Sequence, residues 1–263
     1  MTDHLDHLDF EATGGLRTRG TVLIVPGRGE SPAVYRRFGA RVASDTYRVR
    51  VTEAPVLDPA DPVASLEVIA KQLAEAAAGV GDEPTRPLVA VGSDTGSVAL
   101  AALAALAAGG QRGVSDVWRP DALVLAGLPG YGAHATGGWD DELNARTHCP
   151  VHRGVLSDDP AVQRGSLGDV VPDALLDLAY GSTAALPQLL LVGDIDPVAD
   201  REALSRAAKA LPNARLTVVR GAHHDVLNDV HHRSVSAEVV TFLEALRNEP
   251  SLSPIIVTEA SRW

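Results

Sequence analysis

The sequence predicts an α/β fold: a mostly parallel, twisted sheet with helices on both faces. Short apolar runs such as Thr21-Val22-Leu23-Ile24-Val25 alternate with helical patterns nearly throughout. Those runs are continuous rather than two-faced, as strands buried on both sides are. Several of them end in loops rich in Gly, Pro and Asp, where open parallel sheets carry their sites.

In order along the chain, Asp9 to Arg19 is read as one or two leading antiparallel strands. Thr21–Val25 follows as a buried strand that runs into Pro26-Gly27-Arg28-Gly29. Ser31-Pro32 has the form of an N-cap with Pro at the first helical position, opening a helix to about Ala43. A strand is expected over Tyr47–Val51, then a helix from Val63 to about Ala78. Pro87–Val91 is the third buried strand, ended by Gly92. The helix Ser97–Ala108 is made of small residues that allow close packing on a sheet, and Gly109-Gly110 stops it. Further strands are expected at Ala122–Ala126, Leu189–Val192 and Leu216–Val219, with a helix from about Asp200 to Ala210 and a last one from about Arg233 to Arg247.

The 263 residues are read as one domain, 1–263. About 60 residues, Gly127 to Gln188, separate the fourth and fifth strands, far more than a crossover needs. They predict a cap insertion at about 129–181. The tail 251–263 contains Pro254-Ile255-Ile256-Val257, read as a late strand, a docking arm or a homodimer contact.

Composition narrows the function. The chain is 45% hydrophobic and 22% charged, with a net charge of −11. An acidic chain without clustered Lys and Arg is unsuited to nucleic acid. Cys149 is the only cysteine, which excludes an intrachain disulfide. Met1-Thr2-Asp3-His4 is unlike a signal peptide, and the apolar run Val98–Ala108 is too short to span a bilayer. A cytoplasmic protein with a small-molecule substrate is the expectation.

Three loops carry the chemistry. Gly92-Ser93-Asp94-Thr95-Gly96 has the G-x-nucleophile-x-G form between a strand and a helix. Gly193-Asp194-Ile195-Asp196-Pro197 follows the fifth strand, and Gly221-Ala222-His223-His224-Asp225 follows the sixth. The order nucleophile, acid, histidine is that of the α/β hydrolases.

On these motifs the chain resembles the α/β-hydrolase superfamily over about Thr21 to Arg247. Pro26-Gly27-Arg28-Gly29-Glu30 and Gly221 to Asn228 resemble the oxyanion and histidine loops of lysophospholipase-like and monoacylglycerol-lipase-like members. The resemblance implies an α/β-hydrolase fold, His224 as base, Asp196 as its acid, and the Arg28 and Thr95 backbone N–H groups as oxyanion hole. It implies no cofactor. The elbow departs from those members by holding Asp94 in place of serine, which is similar to haloalkane dehalogenases and epoxide hydrolases. Those relatives usually place an aromatic or basic residue after the aspartate and a His-Gly loop where this chain has Thr95 and Pro26-Gly27.

A carboxylate attacking an ester gives an anhydride, whereas attack on an alkyl carbon gives a stable ester that activated water can hydrolyse. The leading expectation is therefore a hydrolase with Asp94 as nucleophile and epoxide- or haloalkane-type chemistry. Tyr131 and Tyr180 are candidate proton donors to an epoxide, Trp139 a candidate halide donor, and Ser93 and His223 candidate pocket residues. Arg28 suits a substrate carboxylate or an ion pair with Glu30 or a helix residue. Alternatives remain: Ser93, Thr95 or Ser97 as a displaced nucleophile on an ester or thioester, Asp94 as base in a lyase-like step, or an inactive homologue that binds small molecules, with Asp94 a helix-capping turn residue. His148-Cys149-Pro150-Val151-His152 lacks the further ligands of a zinc site, so no metal is expected.

Overall fold

The computed structural model describes residues 7–12, 15–58, 60–78, 84–248 and 252–257. A seven-stranded sheet runs in the order β1-β3-β2-β4-β5-β6-β7. The strands are β1 (His7–Phe10), β2 (Thr21–Val25), β3 (Arg48–Thr52), β4 (Leu88–Ser93), β5 (Ala122–Ala126), β6 (Gln188–Gly193) and β7 (Ala214–Val219). Only β1 is antiparallel, paired with β3 from His7 opposite Thr52 to Phe10 opposite Val49. The other five pairings are parallel. The expected leading strand is thus present but starts and ends earlier than Asp9–Arg19.

The continuous apolar runs are explained by a core on each face. Leu23 and Val25 point to one side, into a cluster with α2 (Pro62–Ala78), α3 (Thr95–Ala108) and α7 (Asp173–Tyr180). Val22 and Ile24 point to the other, against α1 (Arg36–Ser44) and α9 (His232–Asn248). Each such side chain moved out of water contributes about 1.5–3 kcal/mol. The residues of α3 from Thr95 to Leu103 are all buried, which accounts for the Ala- and Leu-rich composition of that helix.

The remaining helices are α4 (Arg112–Ser115), α5 (Trp139–Arg146), α6 (Pro150–Asp158) and α8 (Arg201–Ala210). α5, α6 and α7 fill the long connection between β5 and β6. The segment after Ser31 differs from the expected single helix: Pro32–Tyr35 is a 3-10 turn, and α1 begins at Arg36. Residues 252–257 form no strand, and Ile255, Ile256 and Val257 are 49%, 74% and 76% exposed. Pro254 removes a ladder donor there. The rest of the tail lies outside the described residues.

The chain leaves β2 toward β3 on one side and returns to β4 on the other. This is the topological switch point of the sheet. It sets the loop after β2 beside the loop after β4, with Val25 opposite Gly92.

Candidate active site

Asp94 stands between β4 and α3 with φ 47° and ψ −117°. A non-glycine residue held there is strained, and such strain collects at functional sites. The sequence permits this turn because a Cβ on Gly96 would meet the Val25 carbonyl oxygen at 2.2 Å. The Asp94 N–H is anchored on the Ala126 carbonyl at 3.0 Å, and Val98 N–H closes the first turn of α3 on the Asp94 carbonyl. Gly27 opposite leaves room for the carboxylate, since a Cβ there would lie 2.7 Å from that of Asp94. The capping role considered for Asp94 is not the one its side chain takes.

The three loops meet. His224 Nε2 lies 3.2 Å from Asp94 Oδ1, and His224 Nδ1 lies 3.0 and 3.1 Å from the two oxygens of Asp196. Asp196 is itself oriented by the N–H groups of Val198 and Ala199 at 2.8 and 3.2 Å. Asp194 instead accepts the Gly221 N–H at 2.6 Å and ties the two loops together. Asp94 and His224 are each 1% exposed.

Arg28 grips Asp94. Its backbone N–H and Nε donate to Asp94 Oδ2 at 2.9 and 2.8 Å, while Nη2 donates to Oδ1 at 2.8 Å. Nη1 donates to the carbonyls of Leu167 and Asp169, beyond α6. Arg28 thus forms a buried ion pair with Asp94, where the sequence alone offers Glu30 or a helix residue as the partner. Of the two expected oxyanion donors, only the Arg28 N–H bonds Asp94 among the described residues. Thr95 opens α3 and lines the neighbouring cleft.

Electrostatics follow from this packing. Burial pushes the Asp94 carboxyl up, but the Arg28 guanidinium and His224 outweigh it and hold it well below the usual carboxylate range. Burial disfavours the His224 imidazolium, but Asp196 and then Asp94 hold the ring's pKa up at about 10. The resting site is a cation held between two carboxylates.

A cleft of about 760 Å³ adjoins this group. Arg28 and Thr95 form its base, the segment Glu53 to Leu57 one wall, and Ala161 to Pro172 contributes the other. The expected pocket residues lie elsewhere. Ser93 is buried in β4 and bonded to Tyr35. His223 bonds Asp229 at 3.0 Å and stacks on His148 at 3.8 Å between centroids. Trp139 lies under Arg164, whose guanidinium carbon is 5.1 Å from the ring centroid. Tyr131 is 48% exposed, and its hydroxyl bonds Asp177 at 2.8 Å. Tyr180 donates to the Pro129 carbonyl. Ser97 Oγ is bound to the Ala126 carbonyl at 2.9 Å, which commits it to the sheet. Apart from Arg28 and Thr95, the residues of this cleft escaped sequence reasoning because two remote loops make its walls, with no shared motif.

A second buried group lies alongside. Glu30, His152 and Asp225 bring atoms of metal-ligand type within 4.8 Å of one another. Arg146 Nη1, 3.5 Å from Asp225 Oδ1, already supplies a positive charge there. Among the described residues no helix is long and apolar enough to cross a membrane.

Comparison with known proteins agrees with the fold. A family model described as TAP-like protein (Abhydrolase_4) matches residues 174–250, the part that carries Asp196 and His224. No curated protein sequence matches the chain significantly. A soluble variant of monoglyceride lipase from Saccharomyces cerevisiae is similar in structure, with a TM-score of 0.66 at 15% identity over 91% of either chain. The monoacylglycerol lipase of Paleococcus ferrophilus superposes with a TM-score of 0.66 at 17% identity, over 94% of this chain and 98% of that one. MenH from S. aureus gives 0.57 at 13% identity over 94% and 100%. By its fold and its three loops, the chain is an α/β-hydrolase-fold protein.

Proposed function

We propose that this protein is a cofactor-independent hydrolase in which Asp94 attacks an alkyl carbon. One observation carries the reading: the Asp94 carboxylate sits on the strained elbow with Oδ2 on the Arg28 N–H and Oδ1 on His224 Nε2. Oδ1 forms a bond to the carbon as the leaving group departs with its electron pair, which yields an ester on Asp94. The ester is neutral. His224 then keeps only Asp196 as a charged neighbour, so its proton is held less tightly and is released. The neutral ring takes a proton from water, and the hydroxide attacks the Asp94 carbonyl carbon. The resulting oxyanion stays on Oδ2, where the Arg28 N–H already points. Collapse expels the alkoxide, which takes the proton back from His224.

The lining of the cleft does not separate halide from epoxide substrates: Tyr131, Tyr180 and Trp139 are all outside it, and the His224 imidazolium can itself protonate an epoxide oxygen. A second reading, a non-catalytic binding protein, is favoured by the Arg28 fork, which occupies both oxygens of Asp94.

The decisive measurement is intact-protein mass after exposure to 1-bromohexane. His224→Ala should accumulate a hexyl adduct on Asp94. In single turnover in heavy-oxygen water, the wild-type protein should take label into Asp94 before the alcohol. No adduct in the variant and no turnover in the wild type would leave the binding reading standing.

A further inference from the structure

Glu30 is a buried carboxyl that the mechanism above does not use. It is 4% exposed and lies in the loop after β2. Its two oxygens are treated unequally. Oε2 accepts the Gly27 N–H at 2.7 Å and the Tyr35 hydroxyl. Oε1 is shielded from water and has no hydrogen-bond partner among the described residues. A buried carboxylate shares its charge between both oxygens and needs donors on both. A carboxylic acid does not: its carbonyl oxygen accepts and its hydroxyl donates. The bonding of Glu30 is that of the acid, with Oε2 as the carbonyl and Oε1 as the hydroxyl. One anion for that hydroxyl to face is Asp225, since Glu30, Asp225 and His152 bring polar atoms within 4.8 Å of one another.

The charges around Glu30 agree. Arg146 donates from Nε and Nη2 to Glu142, from Nη2 also to the Arg28 carbonyl, and its Nη1 lies 3.5 Å from Asp225 Oδ1. Among the described residues none of its bonds goes to Glu30. His152 Nε2 is taken by Asp225 Oδ2 at 2.8 Å. Asp94 is close as well: a Cβ on Gly27 would lie 3.0 Å from Glu30 Oε2 and 3.2 Å from Asp94 Oδ2. An ionised Glu30 would therefore add a third carboxylate, after Glu142 and Asp225, beside one guanidinium, and would set it near Asp94. Burial and then Asp225 push the Glu30 carboxyl up, against the opposing pull of Arg146, Tyr35 and the Gly27 N–H.

We propose that Glu30 is a neutral carboxylic acid in the folded protein and a positioning residue for the Asp94 site. Its carbonyl oxygen ties the Gly27 N–H to Tyr35, and this sets the next N–H, that of Arg28, on Asp94 Oδ2. Its proton keeps a further negative charge away from Asp94 and Asp225. The positioning is the same whether Asp94 reacts or only binds.

Glu30→Gln tests this, because its amide keeps an oxygen for Gly27 and Tyr35 and carries no charge. A carboxyl whose folded pKa is raised contributes stability in full below its unfolded pKa, here 4.5, and loses it as pH rises through the folded one. Only the wild type suffers that loss. The ratio of folding constants, variant over wild type, should therefore rise about tenfold per pH unit above 4.5 until Glu30 ionises in the fold. Urea denaturation of the full chain at about pH 5, 6 and 7 reads this ratio. A flat ratio, or one that falls with pH, would overturn the proposal. Positioning has its own readout. The Arg28 amide resonance should stay in place in Glu30→Gln and move in Glu30→Ala, which removes the carbonyl oxygen. An equal displacement in both variants would refute the positioning role. If Glu30→Gln does not fold, infrared spectra of wild-type protein isotope-labelled at its glutamate carboxyls decide. A protonated-carboxyl band should persist at about pH 7, well above the ordinary glutamate range. Carboxylate bands alone would overturn the proposal.

Discussion

Two buried groups of similar make-up lie side by side in this protein. One joins Arg28, Asp94, His224 and Asp196. The other joins Arg146, Glu142, Asp225 and His152. In each, an arginine, a histidine and two carboxylates are nearly shielded from water. In the second, Arg146 Nε and Nη2 hold Glu142 Oε1 at 3.1 and 2.9 Å, and Nη2 also holds the Arg28 carbonyl at 2.7 Å. Glu142 in turn accepts the N–H of Leu167, next to the cap carbonyls that Arg28 contacts. This group fastens α5 and the segment around Leu167 to the loop after β2. Arg146 and Glu142 sit in an ordinary helix four residues apart. Burial and ion pairing are therefore common to both groups. The strained backbone of Asp94 and the cleft lined by Arg28 set the first group apart, and the proposal that it reacts rests on them.

Substitutions can break or sharpen that contrast. The largest effect is expected from Arg146→Leu, which leaves Glu142 and Asp225 buried without their cation and should cost about 3–5 kcal/mol of stability. Arg28→Leu should cost less, about 1–3 kcal/mol, since His224 stays beside Asp94 as a partner. Urea denaturation midpoints check both, and equal losses would erase the distinction between a fastening group and a reacting one.

A middle-sized effect concerns titration. His224 has a folded pKa of about 10 against 6.5 unperturbed, so its protonation stabilises the fold fully below about pH 6.5 and ceases to do so as pH rises through about 10. Asp94 works in the opposite sense: its contribution is present above about pH 4 and is lost as pH falls through its depressed pKa. Asp94→Asn removes one of the two anions on His224 and should lower the ring's pKa by roughly 1–3 units. The ring's carbon chemical shift against pH reports this directly. An unmoved midpoint would mean that Asp196 alone sets the charge.

The smallest effect is expected at Tyr131, which touches neither group. Tyr131→Phe loses one exposed bond to Asp177 and should change stability by less than about 0.5 kcal/mol, with turnover of bromohexane unaltered. A marked loss of turnover would return Tyr131 to the site.

The fold was legible because its signals are local. Thr21–Val25, the small-residue helix and the glycines around Asp94 each announce their setting within a few residues. The meeting of Asp94, Asp196 and His224 was legible too, since three strand ends on one sheet edge must be neighbours. The partner of Arg28 was not, because it lies 66 positions away and is fixed by the sheet order rather than by a pattern. Nor was Arg146, an unremarked residue of the cap, whose role comes from packing among loops distant in sequence. Tyr131 and Trp139 were chosen for their chemistry alone, and the cap turns both away from the cleft.

The Arg28–Asp94 fork also constrains how this chain can change. Asp94→Ser would install the side chain that esterases use at the elbow, yet it would strand the Arg28 guanidinium without an anion. Replacing Arg28 first would leave Asp94 with its contact to His224 but without the fork. The two positions are therefore coupled: a change at either one alters what the other must be, and a coordinated double change keeps the buried charge balanced.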